Sequence, residues 1–327
     1  MSGSVEKIRK VRDAWSDSYG SERHDAGDKE EANSIIPADD ASCAALFPAE
    51  FLPPMQNRLH FISGLPRSGS TLLAALLRQN SRFSAGMSSP VYALFRSMLH
   101  ETSARNEGAV FIDNDIRKRL LLGVFDAYYH EPAPGMVIFD TNRGWTTKLP
   151  ALVELFPDAK VVCCVRNPAW VLDSVETLIR RNVYELSGIF SYDSGGTVYS
   201  RVEGLASAAG MYGFSLNALR EAVYGPHADR LLLVRYESLT ANPLGTLAAI
   251  YGFIAEPLQP HDPKHIEPCY DMIEFDQRLG TPGLHDVGRS VAARERPTIL
   301  PPDLFARYER DAFWQDLKLV PPTVRVV

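Results

Sequence analysis

The stretch Ser63-Gly64-Leu65-Pro66-Arg67-Ser68-Gly69-Ser70-Thr71 concentrates two glycines, a cation and several hydroxyls between an apolar run at 58–63 and the helical pattern Leu72, Leu73, Leu76, Leu77. A strand, a glycine loop and a helix in that order gather unpaired backbone N–H groups and the positive end of a helix dipole at one point, and that point binds phosphate. A nucleotide-hydrolysing loop would read GxxxxGK[ST], with the Lys on the β- and γ-phosphates and the hydroxyl on magnesium. Gly64, Gly69 and Thr71 keep that spacing, but Ser70 holds the Lys position and the positive charge moves into the loop as Arg67. The departure fits a phosphate donor handled without a triphosphate and its metal ion, so no metal is expected. The bland alternative is a tight turn of small residues that binds nothing.

A second basic point follows the apolar run 160–165, which leads straight into Arg166-Asn167-Pro168, with Ser174 about two helical turns further on. An Arg at a strand's C-terminal end and a Ser on the next helix can grip one anionic group beside the glycine loop. Taken singly each would more often be structural; beside the loop they read as a site. Asp140 ends the run MVIF and is expected at the same sheet edge, where it could take a proton, cap a helix or pair with Arg143 or Lys148. His100, His130 and His285 are further candidates for a base, each more plainly read as a surface or satisfied core side chain. Trp145 reads as a wall of an acceptor site or as packing between layers.

These residues need elements to hold them. Strands are expected at 58–63, 136–140, 160–165 and 230–235, continuously apolar as parallel strands covered on both faces should be. Helices are expected at 69–79, 115–129, 146–156, 168–181, 203–223, 243–252 and 302–316, with Pro168 in the first turn of its helix. The stretch 187–200, centred on Gly195-Gly196, reads as a surface loop. Alternation of strands and helices without a repeat indicates one α/β domain over 56–327. Residues 1–55 are polar and mixed in charge, a composition that predicts a flexible N-terminal extension.

Composition closes off other classes. The chain has 327 residues, 34 Lys and Arg against 40 Asp and Glu, and 45% apolar residues. A tail-driven nucleic-acid binder would need a basic excess, so no nucleic-acid partner is expected. No apolar run approaches the roughly 18 residues of a membrane span, and the N-terminus is too charged for a secretory signal, which predicts a cytoplasmic protein. The four cysteines, Cys43, Cys163, Cys164 and Cys269, form neither a CxxC pair nor a disulfide framework.

Four motifs carry a family resemblance. FISGLPRSGSTLL resembles the 5′-phosphosulfate loop of sulfotransferases, and VVCCVRNPAWVLDS resembles their 3′-phosphate motif. LLLVRYESLTANP is similar to the third core strand with its adenine-side Tyr, here Tyr236. GTPGLHDVGR resembles the C-terminal loop that closes over the nucleotide, with Arg289 or the Gly288 backbone as phosphate contacts. Arg67 in the loop is more similar to the protein-tyrosine, glycan and bacterial branches than to the steroid and phenol branch, which carries Lys there.

The resemblance implies a three-layer P-loop-type α/β domain with a central parallel sheet flanked by helices. It implies that Gly64, Pro66, Arg67, Ser68, Gly69, Ser70 and Thr71 cradle the 5′-phosphosulfate of 3′-phosphoadenosine 5′-phosphosulfate, and that Arg166 and Ser174 bind its 3′-phosphate. The sulfuryl group would pass in line to a hydroxyl or amine acceptor, with Arg67 stabilising the transferring group. Lys148 lies one position from a Lys of the tyrosine-sulfating branch and is a second cation candidate. The Glu that this branch places past the loop is absent from Gly86-Met87-Ser88-Ser89-Pro90, and the His of the steroid branch has no match either; Asp140 is the first choice for the base. The acceptor pocket is expected from loops 84–114 and 185–205 and their aromatics Tyr92, Phe95, Phe190, Tyr192 and Tyr199. Two rival readings are an ATP-dependent small-molecule kinase, because MVIFD mimics a magnesium-binding strand, and a nucleotide-binding module without catalysis.

Overall fold

The structure is a computed structural model that describes residues 57–130, 133, 135–190, 196–268, 272–292 and 296–327. The expected extension at 1–55, with Cys43, lies outside the described residues, as do Cys269 and Tyr192.

Six strands form one sheet: β1 (Arg58–Gly64), β2 (Phe83–Ala85), β3 (Val137–Thr141), β4 (Val161–Val165), β5 (Leu231–Arg235) and β6 (Arg325–Val326), in the order β2-β3-β1-β4-β5-β6 and parallel throughout. The four expected strands are present within a residue at each end. The two missed ones, β2 and β6, are short edge strands with too few residues to show a period. Chain order turns around between β1 and β4, so the carboxyl ends of these neighbours flank the crevice where such sheets take ligands.

Helices cover both faces. They are α1 (Ser70–Leu77), α2 (Val91–Glu101), α3 (Asn114–Tyr128), α4 (Leu149–Leu155), α5 (Pro168–Arg181), α6 (Val198–Ala206), α7 (Met211–Val223), α8 (Tyr236–Ala241), α9 (Pro243–Ile254), α10 (Met272–Arg278) and α11 (Pro302–Glu309). The strands alternate between two cores: Phe61, Cys163 and Leu233 face one layer with Trp145 and Leu219, while Ile62, Cys164 and Leu232 face the other with Leu73 and Ile250. Three layers result, and the adjacent cysteines end on opposite faces, both buried and unpaired. Burial pushes the Cys164 thiol up to about 12 and Cys163 higher still, so neither supplies a thiolate nucleophile.

The expected helix at 203–223 is two helices. The chain doubles back at Ser207–Gly210, where a Cβ on Gly210 would lie 2.0 Å from the Gly204 carbonyl oxygen, an approach open only to glycine. α6 begins inside the expected loop 187–200, started by a capping box between Thr197 and Ser200. Within 146–156 the first part is a 3₁₀ turn, Arg143–Lys148, ahead of α4, and 302–316 shortens to α11. α2 falls in what reads as the loop 84–114; its Phe95 packs in the core against Trp145 rather than lining a mouth.

Candidate active site

Pairing register fixes the height of each residue along the sheet. Gly64 lies beside Cys164, and Val165 beside Arg235, so Arg166 and Tyr236 leave their strands together, level with the start of the glycine loop. Gly64 has φ +104°, and a Cβ there would sit 2.2 Å from the Cys164 carbonyl oxygen. The loop therefore begins with backbone pressed against backbone. Gly69, at φ +96°, starts α1 in the left-handed conformation, and its missing side chain leaves room for the Tyr236 ring, 3.1 Å from where a Cβ would be. Arg67 is also left-handed, at φ +54°. This run of turns aims the N–H groups of residues 67–72 away from any backbone carbonyl among the described residues.

The hydroxyls divide by direction. Ser68 is fully buried and its Oγ faces the carbonyls of Leu65 and Cys164, so it braces the loop from inside and offers a ligand only its backbone N–H. Ser70 and Thr71 are half-buried at the first turn of α1.

Arg67 and Arg166 meet at this edge. Arg67 Nε donates to Ser174 Oγ at 3.2 Å and its Nη1 donates to the Leu284 carbonyl. Arg166 Nη1 donates to the Arg67 carbonyl at 3.3 Å, and its guanidinium lies 4.2 Å over the Tyr236 ring. No ion pair joins either guanidinium to a carboxylate among the described residues. Burial, and then the Arg166 charge, press the Arg67 guanidinium below its ordinary range; burial does the same to Arg166. Of the five N–H donors in a guanidinium, Arg67 has two on neutral acceptors, which leaves three for further partners.

Arg166 and Ser174, paired by the sequence as one anion grip, both contact Arg67, the first through its carbonyl and the second through its Nε, so the three residues form one connected cluster. Tyr236 touches both places, Gly69 on one side and Arg166 on the other, a link that only the folded chain reveals.

Asp140 lies deeper than its sequence position suggests. It pairs in register with Phe61, three residues before Gly64, which at about 3.3 Å per residue is roughly 10 Å below the loop. It is 0% exposed, and Trp145 Nε1 donates to Oδ1 at 2.6 Å while the Ser89 and Tyr129 hydroxyls donate to Oδ2 at 2.5 Å each. Burial raises its pKa, opposed by those three hydrogen bonds. Neither Arg143 nor Lys148 is its partner. A carboxylate this enclosed holds a wall of the fold; it fits neither a base at the loop nor a magnesium ligand, because its oxygens already serve three donors.

The remaining candidates scatter. Lys148 is half-buried at the end of the 3₁₀ turn whose Arg143 carbonyl accepts from Ser63 Oγ at 3.1 Å. Arg289 is exposed, and its backbone carbonyl, not its guanidinium, ties the loop by accepting from Ile266 N–H at 2.8 Å. His100 and His130 sit exposed at the surface. His285, one residue past the carbonyl that holds Arg67, pairs with buried Asp276. Sequence reasoning missed Asp276, the Leu284 carbonyl and the Tyr236 contact with Gly69.

A model of the sulfotransferase family matches residues 60–260. No curated protein matches. Among solved structures, the sulfotransferase domain from the curacin biosynthetic pathway is 18% identical, with 62% of this chain and 76% of that one covered and a TM-score of 0.42. The sulfotransferase domain of the Synechococcus PCC 7002 olefin synthase is 19% identical, covering 78% and 94%, with a TM-score of 0.41. Sulfotransferase STF9 from Mycobacterium avium is 16% identical, covering 80% and 76%, with a TM-score of 0.42.

Proposed function

Because the chain belongs to the sulfotransferase family and is therefore a transferase that moves a sulfuryl group, we propose that its donor is 3′-phosphoadenosine 5′-phosphosulfate and its acceptor a hydroxyl or amine. One observation carries the reading: Arg67 and Arg166, whose guanidiniums form no ion pair with a carboxylate among the described residues, lie together at the crevice between β1 and β4, the Arg166 guanidinium donating to the Arg67 backbone carbonyl. The donor supplies an activated sulfuryl group and a leaving phosphate.

In this reading the loop receives the 5′ end through the N–H groups of Arg67, Ser68, Gly69, Ser70 and Thr71, with Gly64 and Pro66 shaping the turn and Ser70 and Thr71 adding hydroxyls. Arg67, gripped by Ser174 and the Leu284 carbonyl, turns its free N–H groups to the charge that spreads over the transferring oxygens. Arg166 holds the 3′-phosphate, stacked on Tyr236 so that its planar fork is set before ligand arrives. Ser174 acts through Arg67, and Arg289 contributes backbone. Lys148 is the second cation, and Asp140 a positioning residue that fixes Trp145, Tyr129 and Ser89. A cytoplasmic location belongs to the same reading, supported by the buried free thiols of Cys163 and Cys164. No helix among the described residues is long and apolar enough to cross a membrane.

Calorimetry with adenosine 3′,5′-bisphosphate, AMP and ATP tests the donor. The bisphosphate should bind most tightly, and Arg166→Ala should remove that preference; equal affinity of the parent chain for AMP would overturn the proposal.

A further inference from the structure

Transfer to a hydroxyl requires a group that takes the acceptor's proton, and Asp140 lies too deep to do so. The other histidines near carboxylates or hydrogen-bond partners are engaged or remote. His60 is buried with Nδ1 accepting from Lys160 N–H, and His261 uses both ring nitrogens, on Tyr251 and on the Leu76 carbonyl. His100 and His265 stand exposed beside Glu101 and Asp262.

His285 differs in three ways. Asp276, only 3% exposed, accepts twice from it: from the backbone N–H at 2.8 Å on Oδ2 and from ring Nδ1 at 2.6 Å on Oδ1. Because an ionised carboxylate can only accept, that contact puts the ring proton on Nδ1 and leaves the lone pair on Nε2. The Phe275 ring packs edge-on against the imidazole at 5.6 Å, and the side chain is 16% exposed, so the ring is held yet reachable. The preceding residue, Leu284, gives its carbonyl to Arg67, which ties this histidine to the cation assigned to the transferring group.

We propose that His285 is the catalytic base of the transfer and that Asp276 is the residue positioning it. The inference rests on the donor reading above. As the acceptor oxygen bonds to sulfur, the bond from sulfur to the 5′-phosphate oxygen breaks and its electron pair leaves with adenosine 3′,5′-bisphosphate. The acceptor proton passes to His285 Nε2, and the imidazolium formed is steadied by the Asp276 carboxylate.

The test uses the full chain, with binding of adenosine 3′,5′-bisphosphate read by calorimetry and donor turnover read as release of that bisphosphate, with water and with excess glycerol as acceptors. His285→Gln should bind the bisphosphate as the parent does while turnover falls about a hundredfold or more. In His285→Ala, added imidazole should restore part of the lost rate, which a purely structural histidine would not allow. Asp276→Asn should lower turnover by a smaller factor, and adding it to His285→Gln should cost nothing further; this variant also serves if the histidine variants fail to fold. Parental turnover in folded His285→Gln, or loss of bisphosphate binding together with turnover, overturns the assignment. A parent chain that does not bind the bisphosphate overturns the donor reading first, and the binding measurement tells the two failures apart.

Discussion

The top of the sheet between β1 and β4 and the pocket beneath it around Asp140 are built to opposite rules. Above, Arg67 and Arg166 are half-buried and rest on a hydroxyl, two carbonyls and an aromatic face, with no carboxylate in ion-pair contact among the described residues. Below, one carboxylate is fully buried and meets three donors. An unanswered charge at a sheet's carboxyl edge calls for a ligand of opposite sign; a saturated one holds its neighbours. Rank in the sequence does not separate these cases, since Asp140 looks as exposed to chemistry as Arg166 until strand register assigns each a depth.

Substitutions can break that contrast or sharpen it. The largest effect belongs to Gly64→Ala: a methyl placed against the Cys164 carbonyl at a positive φ should cost about 3 kcal/mol or more and abolish bisphosphate binding, read by thermal melting and calorimetry. Arg67→Ala should lower turnover about a hundredfold to a thousandfold while bisphosphate binding changes little; full turnover in that variant would remove the upper region's claim to chemistry. Arg166→Ala should reduce the preference for the bisphosphate over AMP by about tenfold to a hundredfold, in titrations of both ligands. Asp140→Asn should act on stability instead, costing about 1 to 3 kcal/mol because an amide cannot accept from all three donors, with turnover reduced less than tenfold. A larger loss of turnover in a folded protein would move Asp140 from the lower rule to the upper one.

The last effect is a slope that leaves turnover near neutral pH untouched. Burial holds folded His60 at about 3, against an ordinary value of 6.5. Between those values the unfolded chain binds a proton that the folded chain refuses. The contribution is therefore complete above pH 6.5 and is lost by about 1.4 kcal/mol for each unit that pH falls toward 3. His60→Gln should flatten denaturant-measured stability across that window.

Much of the upper region was legible because its signals are local. The glycine loop, the strand into Arg166 and the Pro168 start of α5 each lie within a few residues, and α5 begins and ends where the pattern put it. Relations across the fold were not legible. Asp276 and His285 meet only because α10 ends in a turn that folds back, and nothing at nine residues' separation marks that. The depth of Asp140 depends on its register with β1, which no single strand contains. The break between α6 and α7 came from glycines whose need is contact with a carbonyl of the preceding helix.

Arg67 occupies a backbone conformation at φ +54° that L residues other than Asn and Asp seldom adopt. Glycine there would relax the chain by on the order of 1 kcal/mol, yet it would erase the guanidinium in the same stroke. Arg67→Gly should thus melt higher than Arg67→Ala while sharing its inactivity. Stability alone would favour that glycine, so an arginine in a tense turn is a mark of use that a thermal melt can weigh.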